Sequence, residues 1–177
     1  MSESVSRPSN NYLYGWKWNS FPNYRRPVKE MTEAAARKVW DDKGVQFSVS
    51  AGPGLEPGRV PDYTMSIGYG GETVIVERYD SNGSIEVIMG YDLIDGRLFL
   101  SDVTEYLLPD DGKYHHQDDT LGVRMYVFKP DGYCRLRTSV TAAPDDTVEE
   151  LSGVDVSSHW IDALEWGDWD RVGYYNP

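Results

Sequence analysis

Hydrophobic and polar residues alternate along most of the chain with a period of two, the pattern of strands that bury one face. Tyr12, Tyr14, Trp16 and Trp18 place an aromatic at every second position. That predicts a strand with all four on one face and Leu13, Gly15, Lys17 and Asn19 on the other. Val45, Phe47 and Val49 alternate with Gln46, Ser48 and Ser50, and Tyr63, Met65 and Ile67 repeat the pattern. Between them, the glycines and prolines of 51–61 (AGPGLEPGRVP) predict a loop. Thr73 to Tyr79 runs into Asp80-Ser81-Asn82-Gly83, and Asn-Gly is a strong hairpin signal. The return strand carries Ile85, Val87, Met89 and Tyr91 on one face, and Asp95-Gly96 turns the chain into Arg97 to Leu108. After a charged loop at 109–119 (PDDGKYHHQDD), Thr120 to Lys129 and Tyr133 to Thr141 read as strands joined by Pro130-Asp131-Gly132. Strands linked by turns this short pair antiparallel with their sequence neighbours.

Three segments break the alternation towards helix. Thr32 to Asp42 has Thr32 as N-cap, Glu33 at the positive end of the dipole, three alanines in its first turns, and Gly44 as a C-terminal stop. Its apolar stripe (Ala35, Ala36, Val39, Trp40) predicts that it lies on a sheet through Trp40. Near the end of the chain, 147–151 is expected to form one helical turn, and 157–164 a short helix capped by Ser157 or Ser158. The expected fold class is α+β and mainly β: an antiparallel meander, open or closing into a barrel, packed with one N-terminal helix and a short C-terminal helix. Residues 1–11 read as a flexible arm and 12–177 as a single globular domain.

Composition narrows the function classes. The 29 acidic residues outnumber 17 basic ones, giving a formal charge of −12. Nucleic acid and anionic membrane surfaces are bound first by Lys and Arg, so neither is an expected partner, whereas a basic protein is. The single cysteine, Cys134, excludes an intramolecular disulfide, and no apolar leader or membrane-length segment is present. A cytoplasmic location is the expectation that follows.

Candidate chemistry is sparse. His115-His116 precedes Asp118-Asp119 in the charged loop, but adjacent residues seldom share one metal and no HExxH spacing occurs, so a solvated loop is expected. Asp80-Ser81-Asn82-Gly83 opens like a calcium loop, yet the twelfth position is Tyr91 where a bidentate Glu is needed, so it reads as a turn. No GxSxG elbow accompanies a serine, and Cys134 shares an inward strand face with Leu136, which marks a buried thiol. Asp102 and Glu105 point to opposite faces of one strand. No catalytic residue, cofactor or metal is assigned, although an acid–base pair drawn from different strands remains open to a sheet of this kind.

The aromatic ends carry the positive signal. Trp160, Trp166 and Trp169 are interleaved with acidic residues, a combination in which Trp supplies contact area and carboxylates select a basic partner. The segment Trp160–Trp169 (WIDALEWGDW) resembles the C-terminal signature of some small bacterial immunity proteins, the antidotes of polymorphic toxins. There a Trp is followed by an acidic or aromatic residue, Gly, an acidic residue and Trp; the usual proline is replaced here by Ala163-Leu164. The resemblance implies a cytoplasmic, non-enzymatic, acidic protein that caps a toxin's active site. The expected partner-binding residues are Asp110, Asp111, Asp118, Asp119, Trp160, Glu165, Trp166, Asp168 and Trp169. The alternative is a lipocalin-like barrel that binds, isomerises or cyclises an apolar small molecule without a cofactor.

Overall fold

The alternating segments assemble, in the computed structural model, into one open antiparallel sheet. The structure describes residues 10–177. The first strand, β1 (Asn10–Gly15), is followed by a small hairpin of β2 (Lys17–Asn19) and β3 (Arg26–Val28), then by helix α1 (Glu33–Asp41). A meander follows: β4 (Phe47–Pro53), β5 (Tyr63–Gly68), β6 (Thr73–Tyr79), β7 (Ile85–Ile94), β8 (Arg97–Leu107), β9 (Gly122–Phe128), β10 (Cys134–Val140) and β11 (Thr147–Leu151). The last elements are β12 (Trp160–Asp162) and helix α2 (Trp169–Gly173). Each strand from β4 to β11 pairs with the next, β1 pairs with β4, and β12 adds to the start of β8. The sheet is not closed into a barrel, so the enclosed chamber of a lipocalin-like fold does not form.

Residues in register across an antiparallel sheet point to the same side. One side therefore carries Tyr14, Val49, Met65, Val76 and Met89, and with it Phe47, Ile67, Val74 and Tyr91. These are buried in one cluster with Ala36 of α1 and with Ile161, Leu164, Trp169 and Val172 of the C-terminal segment. The other side is lined where it is buried by small hydroxyls. Ser50 and Thr64 bond each other at 3.0 Å, and Ser48 Oγ donates to the Gly15 carbonyl at 3.2 Å. The β2–β3 hairpin lies on that side. A Cβ on Gly15 would stand 2.7 Å from Pro27 Cβ, so only glycine admits the hairpin so closely.

Several local expectations are corrected by this tertiary context. The aromatic stripe is broken: the chain bends out of the sheet at Trp16, which is 39 % exposed, while Tyr14 and Trp18 are buried in different sheets. Residues 1–9 of the expected arm lie outside the described residues, and Asn10 and Asn11 already pair in β1. Pairing with β1 carries β4 through to Pro53, into the predicted loop. Residues 147–151 form β11 rather than a helical turn, because β10 offers them a ladder and Thr147 and Val148 suit a strand. The helix expected over 157–164 is a single 3₁₀ turn, Ser157–His159, followed by β12; the C-terminal helix lies later, in α2.

The predicted N-terminal helix forms, and Thr32 caps it by accepting from the Ala35 amide at 3.2 Å. Its exit is a Schellman motif in which Gly44 N–H donates to Val39 O at 2.8 Å and Lys43 N–H to Trp40 O at 3.1 Å. Lys43, at φ +49°, occupies the left-handed position expected of Gly44. Gly44 is needed for proximity instead, since a Cβ there would meet Val39 Cγ1 at 2.7 Å.

The indole of Trp169 is fully buried among Trp40, Phe47 and Trp166, with its Nε1–H donating to Tyr14 at 3.4 Å. Trp169→Ala is expected to destabilise the fold by about 3–5 kcal/mol, the usual range for deleting a buried Trp, measured as a lowered denaturant midpoint at constant slope.

Candidate functional site

Strand β8 divides the predicted interaction residues into two groups. Its end at Leu107 leads into the 109–119 loop, while its start at Arg97 pairs with Asp162 of the C-terminal segment. Eleven residues of extended chain span about 30 Å. Asp110, Asp111, Asp118 and Asp119 are therefore brought together at one end, and Trp160, Glu165, Trp166, Asp168 and Trp169 at the other.

At the C-terminal group the tryptophans face inward. Trp166 stacks on Tyr14 (6.1 Å between centroids, 7° between planes) and meets Trp169 edge-on at 5.1 Å. Trp160 is half-buried against Phe99 at 4.7 Å, with the Arg97 guanidinium 5.8 Å from its ring centre. Trp169 has no surface to offer a partner and is corrected from anchor to core residue. Of the carboxylates, Glu165 and Asp168 are exposed, and Asp168 is ion-paired with Arg171. That guanidinium also donates to the carbonyls of Asp162 (2.9 Å) and Ala163 (2.8 Å). The acidic tail is thus tied down by its own arginine.

The other end is built differently. Three loops converge there: 20–25 of the β2–β3 hairpin, the turn 80–83 between β6 and β7, and 109–119. Asp80 Oδ1 closes its turn by accepting from the amides of Asn82 (2.9 Å) and Ser84 (2.8 Å), as expected of a turn. Buried Ser84 then accepts from the His115 amide at 3.0 Å, while Gln117 donates to Tyr106 OH at 2.9 Å, which fixes the acidic loop. His116 Nδ1 accepts from the Asp118 amide at 3.4 Å, and its ring stacks on Phe21 (5.3 Å, 9°), which also meets Tyr114 at 6.0 Å. Arg25 reaches across to the Asn82 carbonyl.

This assembly leaves Phe21 and Tyr24 in solvent, 48 % and 58 % exposed. With Pro22 and Asn23 they line a hollow of about 370 Å³. On the neighbouring 109–119 loop the four aspartates are exposed, and Asp111 lies 2.8 Å from the His115 ring. Lys113 is the exposed cation on these loops, and Arg26 follows them at the start of β3. Two buried donors, Trp18 Nε1 and Arg25 Nε, lack hydrogen-bond partners among the described residues, and both belong to this hairpin. Phe21 and Tyr24 escaped the strand-based reading because they interrupt the alternation. Two aromatics inside a Pro- and Asn-containing turn cannot enter a ladder, which is the available signal that they face outward.

Among the described residues no cluster of three or more His, Cys, Asp or Glu side chains is placed to hold a metal. No helix among them is long and apolar enough to cross a membrane. Cys134 is buried, and burial raises its thiol pKa. No family model, curated protein or solved structure matches the chain.

The hydrogen bond from His115 lowers the pKa of Asp111 from its ordinary 3.8. The charged carboxylate is therefore favoured by folding, and its contribution is complete above the unfolded pKa and is lost as pH falls through the folded one. Carboxyl-carbon NMR titration is expected to place Asp111 below its ordinary value, and His115→Leu, which removes the ring donor, to raise it while the Lys113 amide still holds it down.

Proposed function

We propose that this chain is a non-enzymatic, cytoplasmic binding protein that caps the basic working face of a protein partner, in the manner of the toxin-neutralising immunity proteins that Trp160–Trp169 resembles. The observation that carries this reading is the pairing of two exposed aromatics, Phe21 and Tyr24, with four exposed aspartates on braced loops. Aromatic anchors beside an apolar hollow supply the contact area of an interaction hot spot. Carboxylates around such anchors speed encounter with a basic surface and reject acidic ones, and the net charge of −12 adds a long-range field of the same sign. The anchors assigned to this role are thus Phe21 and Tyr24, with Asp110, Asp111, Asp118 and Asp119 as the charged rim.

The partner to test is the product of the neighbouring gene, since an antidote and its target are encoded together. Stopped-flow mixing should give an association rate that falls as salt rises across the physiological range. Phe21→Ala and Tyr24→Ala should each weaken the complex about tenfold through faster dissociation. Replacing the four aspartates by asparagine should instead slow association and flatten its salt dependence. A complex indifferent to salt and to all six positions would refute the assignment.

A further inference from the structure

The apolar side of the sheet is unevenly covered. The C-terminal segment fills it over β4 to β7, but further along, where β8 meets β9, a hollow of about 270 Å³ stays open. It is walled by Leu100, Val103 and Glu105 of β8, Tyr126 and Phe128 of β9, and His159 from the 3₁₀ turn. Register explains the gathering: Val103 faces Tyr126 and Glu105 faces Arg124 across the two strands, so their side chains share this side. The hollow is on the opposite side of the sheet from the β2–β3 hairpin, so it is independent of the aspartate-rimmed surface.

One wall is aromatic. The Tyr126 and Phe128 rings are parallel within 3° at 6.1 Å, and Phe128 meets His159 edge-on at 4.4 Å. The principal polar groups are acceptors. Glu105 receives the Tyr126 hydroxyl at 3.4 Å, while Arg124 stands off at 3.9 Å, too far for a tight ion pair. His159 Nδ1 lies 3.3 Å from the Leu100 carbonyl oxygen, which can only accept. That nitrogen therefore carries the proton, and Nε2 keeps a lone pair. Burial lowers the His159 pKa, which keeps the ring neutral near pH 7.

We propose that this hollow binds a small organic cation with an aromatic or apolar body, its ammonium group set between the Glu105 carboxylate and the Tyr126 ring. An ammonium brings a positive charge and up to three donors to a lining that supplies a carboxylate, a free imidazole lone pair and aromatic faces. The body of the ligand rests on Val103 and Phe128. A neutral or anionic ligand would desolvate Glu105 without giving it a counter-charge, which is costly.

The test is calorimetric and NMR titration of the full chain with 2-phenylethylammonium, and with 2-phenylethanol as the uncharged match in shape. Saturable binding is expected, with shift changes centred on Val103, Glu105, Tyr126, Phe128 and His159. The alcohol should bind about tenfold more weakly, the usual worth of one charged hydrogen bond. Glu105→Gln should cost the ammonium a similar factor. Arg124→Gln, which removes the competing cation from an exposed position, should tighten binding, and this second variant keeps the question decidable should Glu105→Gln unfold. Equal affinity for amine and alcohol, shifts centred elsewhere, absence of saturable binding in the millimolar range, or an Arg124→Gln variant that binds no better would each overturn the assignment.

Discussion

A sheet that remains open has an apolar side which nothing in the meander itself can bury, and covering that side is the constraint on which this structure turns. The cover comes from the far end of the chain. Trp169 enters the cluster of Tyr14, Trp40 and Phe47, and the next residue, Asp170, accepts hydrogen bonds from Tyr63 OH (2.7 Å) and Asn10 Nδ2 (2.9 Å). Arg78 of β6 reaches from the sheet to the carbonyls of Gly173 and Tyr175, and Tyr174 OH donates to Asp62 at 2.7 Å. Burial and the Asp170 carboxylate together push the Tyr12 hydroxyl up to about 12. Apolar area supplies the driving force, while the tyrosine–carboxylate bonds fix the position of α2. Gly173 records how close the fit is, since a Cβ there would stand 2.3 Å from the Tyr63 ring.

The second side of the sheet solves a different problem with small residues. Ser48, Ser50 and Thr64 are buried there, and each hydroxyl is matched by another hydroxyl or a backbone carbonyl, which is how buried polar groups avoid a desolvation cost. Small side chains also leave room for the β2–β3 hairpin to lie close. Because the hairpin is held against the sheet, its tip is braced: Phe21 rests on His116, and Arg25 reaches the 80–83 turn. An exposed aromatic on a braced tip loses little conformational entropy on binding, so it suits an anchor better than one on a free loop.

Charge is partitioned by the same architecture. The carboxylates of the 109–119 loop and of the C-terminal segment lie at opposite ends of β8, and the C-terminal ones are partly neutralised by Arg171. Glu77, half-buried on the second side, is pushed above the usual carboxylate range by burial while it accepts from Tyr79 at 2.8 Å. The exposed carboxylates of the 109–119 loop therefore stand at the end of the sheet that carries Phe21 and Tyr24, whereas Glu105 lies in a hollow on the other side.

The sequence by itself determined most of the meander. Alternation located β5 to β10 within a few residues, the Asn82-Gly83, Asp95-Gly96 and Asp131-Gly132 turns set their order, and Thr32 announced α1, because pleat periodicity and turn chemistry act over neighbouring residues. Residues 147–151 and 160–162 form strands where a helical turn and a helix are expected, because short segments adopt whatever ladder is offered, and β8 is distant in sequence from the residues that join it as β12. The same limit governed the site. Composition located the aspartates of the acidic loop but gives no measure of depth: Trp169, an anchor by its acidic neighbours, lies in the core, while Phe21 and Tyr24, in an irregular link between elements, face water. Only the tertiary structure decided that the sheet stays open, which aromatics face water, and that Glu105, Tyr126 and His159 meet, because each depends on contacts between residues far apart along the chain.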